Sequence, residues 1–380
     1  MRIAESVRKL EAYTPGEQPK AKGVVKLNTN ENPYPPSPKC AAVLGRFDLD
    51  RLRRYPDPVF MELRSRIARI WHTVPSRVFV GNGSDEILTL AARAFVEDRE
   101  AIGSLYPSYS LYKTLADIRN VPFVPTPLGS DFSWNGRIEG KTGDGRSVSL
   151  FLLTNPNAPT GVCTPVDTVA KCARRFKGVL IVDEAYADFA DADCVPLAAN
   201  PANRNVIVMR TLSKSFSLAG LRLGYCIGPE DLIDALYKVK DSYNVDAVAQ
   251  AVALAALNDL PWMRANVMKV RRTRKRVAKE LAKRGWDVLP SGSNFLFARP
   301  ANRPAAELFG ELRKRNIFVR YFKGPRTGDR LRITIGTDAE MDILLSALKT
   351  LDTPKTKNPK SPLRVPAGDK KNNPTTTNKP

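Results

Sequence analysis

Two side chains that could take part in catalysis follow apolar runs in this chain of 380 residues. Lys214 lies among small hydroxyl residues in TLSKSFSLAG, shortly after the apolar run VIVM. Burial lowers the pKa of a lysine because the ammonium loses its hydration, and an uncharged amine can form a Schiff base with an aldehyde. Asp183 ends the run VLIVD, where its carboxylate could hold a protonated ring nitrogen. Taken alone, the lysine could be a surface residue and the aspartate a helix cap.

A glycine-containing turn offers an anion site. The segment GNGSDE (81–86), which contains Ser84 and Asp85, opens a predicted helix directly after a predicted strand. Its backbone N–H groups and the helix dipole favour an anion, although the same pattern also fits a plain helix start. The segment lacks the GK[ST] element of a Walker loop and is not GxGxxG.

Four further side chains complete a set of groups that one ligand could contact. Arg222 is a planar two-pronged donor that suits a phosphate, and Thr211 and Ser213 add hydroxyls. Tyr186 follows the aspartate by three residues and could offer its phenol to a ring hydroxyl. A ligand with an aldehyde, a ring nitrogen, a ring hydroxyl and a phosphate describes pyridoxal phosphate.

The elements that must position these groups read as an α/β fold. Short apolar runs alternate with helical patterns, and the runs are continuous, as in strands buried on both faces of a largely parallel sheet. Ligands of such sheets bind beyond the carboxyl ends of the strands. The candidate segments 81–85, 155–161, 183–186 and 211–214 lie at such ends, so we expect them to meet at one edge of the sheet.

Charge and composition favour a soluble globular protein. The formal net charge is +21, but 353–380 contributes seven Lys or Arg against one Asp and is predicted to be a disordered basic tail. The basic stretch 268–285 reads as a solvated helix face, so a specific nucleic-acid role is not expected. No run of 18 apolar residues predicts a membrane span, and the first residues lack the pattern of a secretory signal.

The cysteine and histidine content excludes several kinds of site. The five cysteines are scattered without a CxxC pair, which argues against a disulfide framework or a zinc site and for a reducing cytoplasm. The single histidine, His72, reads as a helix-end residue. A serine–histidine mechanism and a histidine-rich metal site are therefore not expected, and we predict no metal.

The order of nine motifs over about residues 10–350 resembles the fold-type-I aminotransferases. The motifs are NENPYPPSP, RYPDP, GNGSDE, YPSYSLY, NPNAPTG, DEAY, SKSFSLAGLRLG, NFLFAR and LRITIGT. More closely, the chain is similar to the histidinol-phosphate aminotransferase family, because VRYFKGPRTGDRLRITIGT (319–337) resembles that family in particular. The resemblance implies a mostly parallel seven-stranded sheet, a smaller C-terminal α/β domain, and pyridoxal phosphate as cofactor. It also implies amino transfer between histidinol phosphate and 2-oxoglutarate, which becomes glutamate.

The resemblance also implies roles for residues that the patterns alone do not single out. Tyr109 would stack on the cofactor ring. Tyr55 would reach the cofactor phosphate of the neighbouring subunit, which implies a homodimer with shared active sites. The substrate side would be formed by Tyr13, Glu31, Asn32, Arg320 and Arg332.

One position departs from the family. Many relatives read Asn-Asn-Pro-Thr-Gly, whereas this chain has Ala158 where the second asparagine often binds the ring hydroxyl. We expect Asn157 to take over through a local shift; Asn155 is the alternative, and Tyr186 could bear more of the task.

The predicted organisation has four parts: an N-terminal arm (1–32), a large cofactor-binding domain (33–245), a small C-terminal domain (246–352) and the basic tail (353–380). Two other activities on the same scaffold stay open, namely an aromatic or broad-specificity aminotransferase and a threonine-phosphate decarboxylase. A non-catalytic binding protein is the alternative from another class.

Overall fold

The computed structural model describes residues 2–3, 5–8, 10, 17–19 and 23–352. Tyr13 and the predicted basic tail lie outside the described residues. No helix within the described ranges is long and apolar enough to cross a membrane.

The described chain alternates strands and helices. The strands are β1 (Val25–Lys26), β2 (Val78–Gly81), β3 (Ala101–Tyr106), β4 (Phe123–Pro127), β5 (Val148–Thr154), β6 (Val179–Asp183), β7 (Val206–Thr211), β8 (Gly224–Ile227), β9 (Asp287–Val288), β10 (Phe295–Arg299), β11 (Ile317–Phe318), β12 (Arg320–Tyr321) and β13 (Leu331–Thr334). The α-helices are α1 (Glu5–Arg8), α2 (Pro38–Gly45), α3 (Met61–Ile70), α4 (Ser84–Ala94), α5 (Leu111–Arg119), α6 (Val166–Arg175), α7 (Val195–Ala199), α8 (Glu230–Val239), α9 (Ala247–Leu257), α10 (Leu260–Lys283), α11 (Ala305–Lys314) and α12 (Asp338–Asp352). Short 3-10 helices cover Leu49–Arg53, Pro75–Arg77, Ala187–Phe189 and Ala219–Leu221.

The predicted parallel sheet is confirmed. It has seven strands in the order β2-β8-β7-β6-β5-β3-β4, and only β8 runs antiparallel to its neighbours. Both faces are covered, as the continuous apolar runs predict. In β5, Leu150 and Leu152 pack into the core on one face, while Phe151 and Leu153 pack into the core on the other.

Register brings the ends of three strands to one edge of this sheet. Thr154 at the end of β5 lies opposite Asp183 at the end of β6, and Asp183 lies opposite Met209 of β7. Thr211, the last residue of β7, pairs with Gly224 of β8. The chain after β6 and β7 therefore leaves the sheet on the same side, where the candidate residues lie.

The C-terminal part forms a second, antiparallel sheet of four strands in the order β12-β13-β10-β9. Helix α9 ends at Leu257 and α10 begins at Leu260, and Pro261 lies in the first turn of α10, where its missing N–H is not needed. Strand β1 pairs in parallel with β11, so the segment before residue 30 attaches to this C-terminal part. The seven-stranded sheet lies within 33–245 and the four-stranded sheet within 246–352. The domain boundaries themselves stay a prediction.

Candidate active site

A large cavity of about 2010 Å³ opens at the carboxyl ends of the seven-stranded sheet. Most of the predicted site residues line it: Ser84, Asp85, Tyr109, Asp183, Tyr186, Thr211, Ser213, Lys214, Arg222, Arg320 and Arg332. Four predicted residues, Glu31, Asn32, Tyr55 and Asn157, are not among the lining residues. Within the described ranges, no group of three or more His, Cys, Asp or Glu side chains could hold a metal ion.

Asp183 is a buried carboxylate at the cavity wall. It is 4% exposed, and burial raises its pKa to about 6. The Tyr112 hydroxyl donates to Oδ2 at 2.8 Å, and the Ala185 N–H donates to Oδ1 at 3.1 Å. The Tyr112 hydroxyl also lies 2.6 Å from the Thr154 hydroxyl. Sequence reasoning missed Tyr112; the only available signal is its place three residues after Tyr109 in YPSYSLY.

Replacing Asp183 by asparagine should stabilise the cofactor-free protein at pH 8 while weakening its affinity for a pyridinium cofactor. The folded pKa is above the ordinary aspartate value of 3.8, so the carboxylate destabilises the fold increasingly as pH rises from about 4 to about 6. The variant should gain up to about 3 kcal/mol in free energy of unfolding at pH 8 and nothing at pH 3.5.

Chemical denaturation of cofactor-free Asp183→Asn and wild-type proteins at the two pH values measures this difference. The amide fits the same contacts, because Tyr112 can accept from it and donate to the neighbouring Thr154 hydroxyl instead. A variant that is less stable than wild type at pH 8 would contradict the prediction.

Lys214 is half-buried, and its backbone is held from a distant segment. The Asn32 amide donates to the carbonyl oxygens of Lys214 and Ser215, at 3.1 and 3.2 Å. The Lys214 Nζ lies 3.4 Å from the Thr29 carbonyl and 5.8 Å from the centre of the Tyr186 ring. Asn32 therefore contacts the turn that carries the lysine, whereas the resemblance placed it on the substrate side.

An anion cradle lies beside the start of α4. Arg222 Nη1 lies 3.4 Å from the Ser213 hydroxyl, which in turn accepts from the Thr211 hydroxyl at 3.0 Å. Gly83 precedes the helix with φ +81°, and a Cβ at that position would lie 2.6 Å from Arg222 Nη2. The arginine also pairs with Asp85 at 3.4 Å, a long contact between half-exposed groups. A bound phosphate can compete for the guanidinium, because an exposed pair of this kind is weak.

Two arginines also line the cavity. Arg320 and Arg332 lie opposite each other in the β12–β13 pair. Arg332 donates to the Asn28 carbonyl at 2.9 Å, and its guanidinium lies 5.3 and 5.2 Å from the ring centres of Phe295 and Phe322. Arg320 lies 5.5 Å from the same Phe322 ring. Both guanidinium groups therefore contact aromatic rings at the cavity lining, where cation–π attraction helps to position them.

The two predicted tyrosines differ in position. Tyr109 lies at the cavity wall, edge-on to Tyr112, with its hydroxyl 3.5 Å from Asp85 Oδ1. Tyr55 is 79% exposed and stacks on Tyr243 at 4.3 Å, away from the lining of this chain's own cavity. Its predicted contact with the cofactor of a second subunit stays a prediction.

The asparagines of the NPNAPTG segment are engaged elsewhere. The Asn157 amide donates to the Pro107 carbonyl and to Thr160, and its oxygen accepts from Ser108. The Asn155 side chain donates to the Thr164 carbonyl and accepts from the Thr164 N–H. Ala158 lines the cavity and the two asparagines do not.

The donor set fits pyridoxal phosphate. A buried carboxylate suits the ring nitrogen, a lysine amine suits the aldehyde, and the arginine–serine cradle suits the phosphate. Gly83 lets Arg222 approach the start of α4 closely, because a Cβ at that position would lie 2.6 Å from Arg222 Nη2.

Comparison with known proteins agrees with this chemistry. Residues 22–348 match the model of the family described as aminotransferase class I and II. A histidinol-phosphate aminotransferase of Nostoc sp. is 42% identical over 91% of this chain and 97% of its own, and one of Bradyrhizobium diazoefficiens is 44% identical over the same shares. A crystal structure of the Sinorhizobium meliloti histidinol-phosphate aminotransferase in complex with pyridoxal-5'-phosphate superposes with a TM-score of 0.82, at 25% identity over 92% of this chain and 97% of that one. The chain belongs to the aminotransferase class I and II family.

Proposed function

We propose that this protein is a pyridoxal-phosphate-dependent aminotransferase that moves an amino group between histidinol phosphate and 2-oxoglutarate, in histidine biosynthesis. Relatives that carry the name of this activity are 40–44% identical over nearly the whole chain. The observation that carries the proposal is the placement of Lys214 and Asp183 on the same cavity wall as Arg320 and Arg332. Lys214 and Asp183 suit the cofactor, and Arg320 and Arg332 suit anionic groups of both substrates.

Several residues of the chain would have separate roles in the reaction. Lys214 would hold the aldehyde carbon of the cofactor and, once released, act as the general base that moves the substrate α-proton. Asp183 would keep the ring nitrogen protonated, and Arg222 with Ser213 would bind the phosphate. When bound, pyridoxal phosphate supplies a ring that accepts the electrons left at the substrate carbon. Tyr109 would pack against that ring from the cavity wall.

The arginines suit the two substrates of the proposal. Histidinol phosphate carries a phosphate at one end, and 2-oxoglutarate carries two carboxylates. Arg320 and Arg332, which lie on neighbouring strands, would bind the phosphate of the donor or a carboxylate of the acceptor. Because the two substrates bind in turn, the same cations can serve both.

The proposal includes a homodimer with shared active sites. Tyr55 and its stacking partner Tyr243 are both exposed, and Leu49, Leu52 and Val59, which lie near Tyr55 in the sequence, are exposed as well. An exposed apolar surface of this kind favours a protein partner, and Tyr55 would reach the cofactor phosphate of a second subunit across it. A cytoplasmic location is part of the proposal and is supported by the free state of the five cysteines.

The substrate is tested by a half-reaction. Protein loaded with pyridoxal phosphate is mixed with histidinol phosphate, phenylalanine, tyrosine, aspartate or threonine phosphate in the absence of an oxo acid, and its visible absorbance is followed. We expect fast bleaching with histidinol phosphate. Arg320→Gln should lower kcat/KM for this donor by about 10–100-fold, because a charged hydrogen bond to the phosphate is lost.

Other outcomes of this experiment identify the alternatives. Faster bleaching with phenylalanine or tyrosine would indicate a broad-specificity aminotransferase, and carbon dioxide release from threonine phosphate would indicate a decarboxylase. A protein that binds no pyridoxal phosphate would be a non-catalytic binding protein. Arg315→Gln, at an exposed helix end, serves as the matched control and should leave the rate unchanged.

A further inference from the structure

Asn30 is a buried junction in the cavity wall. It is 1% exposed, although it lies among the lining residues. Its side-chain amide donates to the Tyr186 hydroxyl at 3.0 Å, and its side-chain oxygen accepts from the Thr334 hydroxyl at 2.9 Å. Its backbone N–H donates to the same threonine at 3.0 Å, and its carbonyl accepts from Asn294 at 2.9 Å. Sequence reasoning selected its neighbours in NENP and missed it.

These contacts set the direction of the hydrogen bond to Tyr186. The Thr334 oxygen accepts from the Asn30 N–H, so its own proton is available for the Asn30 side-chain oxygen. The amide nitrogen then faces Tyr186 and can only donate to it. Because the phenol oxygen accepts from Asn30, the phenol proton remains available for donation into the cavity.

The neighbouring residues of the cavity wall explain why the direction of this hydrogen bond matters. Ala158 packs with Tyr186 and Phe295 in one small buried cluster, and its methyl group donates no hydrogen bond. Asn155 and Asn157 do not line the cavity, and the side chains of both are hydrogen-bonded to other protein groups. The Tyr186 ring is held edge-on to Phe295 at 5.1 Å. A donor to the ring oxygen of the cofactor is therefore best supplied by Tyr186.

We propose that Asn30, held by Thr334, is a positioning residue that fixes Tyr186 as a hydrogen-bond donor to the cofactor's ring oxygen. This inference rests on the proposed function, because it needs pyridoxal phosphate in the cavity. Asn30 itself does not act on the reacting atoms; it acts through the phenol. Its φ of +55° lies in the left-handed region, which asparagine and aspartate tolerate better than most residues.

The test is the pH titration of the visible absorption band of the loaded protein. The band reports the protonation of the link between the lysine and the cofactor. A donor to the ring oxygen stabilises the form in which that oxygen carries the full negative charge, which is the unprotonated link. Loss of the donor should therefore raise the midpoint. In Asn30→Asp, the carboxylate accepts the phenol proton, and the midpoint should rise by about one pH unit, as in Tyr186→Phe.

The double variant separates the proposal from a simple charge effect. If Asn30 acts through Tyr186, Asn30→Asp should add no further shift in the Tyr186→Phe background. An equal shift in both backgrounds would overturn the inference, since it would show a direct charge effect. The neutral variant Asn30→Ala should raise the midpoint by less than Asn30→Asp but measurably, and an unchanged midpoint in it would also overturn the inference.

Control experiments distinguish a failure of this inference from a failure of the proposed function. Asn258→Asp, an exposed asparagine at the end of α9, should leave the midpoint unchanged. Wild-type protein that forms no visible band, and no lysine adduct after borohydride reduction, would overturn the proposed function and this inference together. A normal wild-type titration with unshifted Asn30 variants would overturn this inference alone.

Discussion

Lys214→Ala protein should lose amino transfer by on the order of 10⁴-fold, because in the proposed mechanism this one residue supplies both the amine that holds the cofactor and the general base. The loss should be chemical and not structural. The Lys214 Nζ makes one long contact, at 3.4 Å to the Thr29 carbonyl, while the turn is held through backbone carbonyls by Asn32. Steady-state rates with histidinol phosphate, together with the free energy of unfolding, measure both parts of the prediction.

Two variants sharpen the test. Lys214→Arg keeps the positive charge but has no amine that can react with an aldehyde, so it should be about as inactive as the alanine variant. Lys238→Ala removes an exposed lysine that pairs with Asp234 on α8, and it should be fully active. After borohydride reduction, mass spectrometry should find the cofactor on the peptide that contains Lys214. Turnover by Lys214→Ala at more than about one tenth of the wild-type rate would contradict the proposed mechanism.

The residues at strand ends could be predicted because local sequence determines them. A continuous apolar run predicts a buried strand, and a polar residue that ends it must emerge at the sheet edge. Asp183 ends β6 and Lys214 follows β7 by three residues, so parallel pairing of these strands brings them to one cavity. Arg222, which the sequence analysis selected for its phosphate-binding side chain, lies just before β8.

The supporting residues could not be predicted because their partners are distant in sequence. Asn30 contacts Tyr186, which is 156 positions away, and Thr334, which is 304 positions away. Tyr112 reaches Asp183 across 71 positions. No periodicity or motif reports such contacts, since they depend on how the N-terminal segment and the two sheets pack. The substitution at Ala158 was visible in the sequence, but its consequence was not.

The largest effect on stability should come from Arg210, whose side chain is 4% exposed at the end of β7. Its guanidinium lies 2.8 Å from Asp188 Oδ1, 3.3 Å from Asp193 Oδ2 and 3.1 Å from Glu184 Oε2. The contact to Glu184 is an ion pair without hydrogen-bond alignment. The guanidinium also lies 4.7 Å from the ring centre of Trp71. Glu184 does not line the cavity.

Arg210→Met should lower the free energy of unfolding by about 3–5 kcal/mol at pH 8, because buried carboxylates lose their counter-charge. Burial raises the pKa of Glu184 to about 7, and Arg210 opposes that rise. Without the arginine, the pKa of Glu184 rises further, so the ionised form destabilises the fold more strongly at high pH. The loss should therefore be larger at pH 8 than at pH 5, where Glu184 is protonated in the folded variant.

Denaturation of cofactor-free protein at one fixed concentration, at pH 5 and pH 8, tests this dependence. Arg93→Met, at an exposed position near the end of α4, should change the free energy of unfolding by about 0.5 kcal/mol or less at both pH values. Asp188 also accepts a hydrogen bond from Ser215, the residue after Lys214. If Arg210→Met loses the same free energy of unfolding at both pH values, the buried carboxylates do not cause the loss. Lost packing on Trp71 would then set the stability of the turn that carries Lys214.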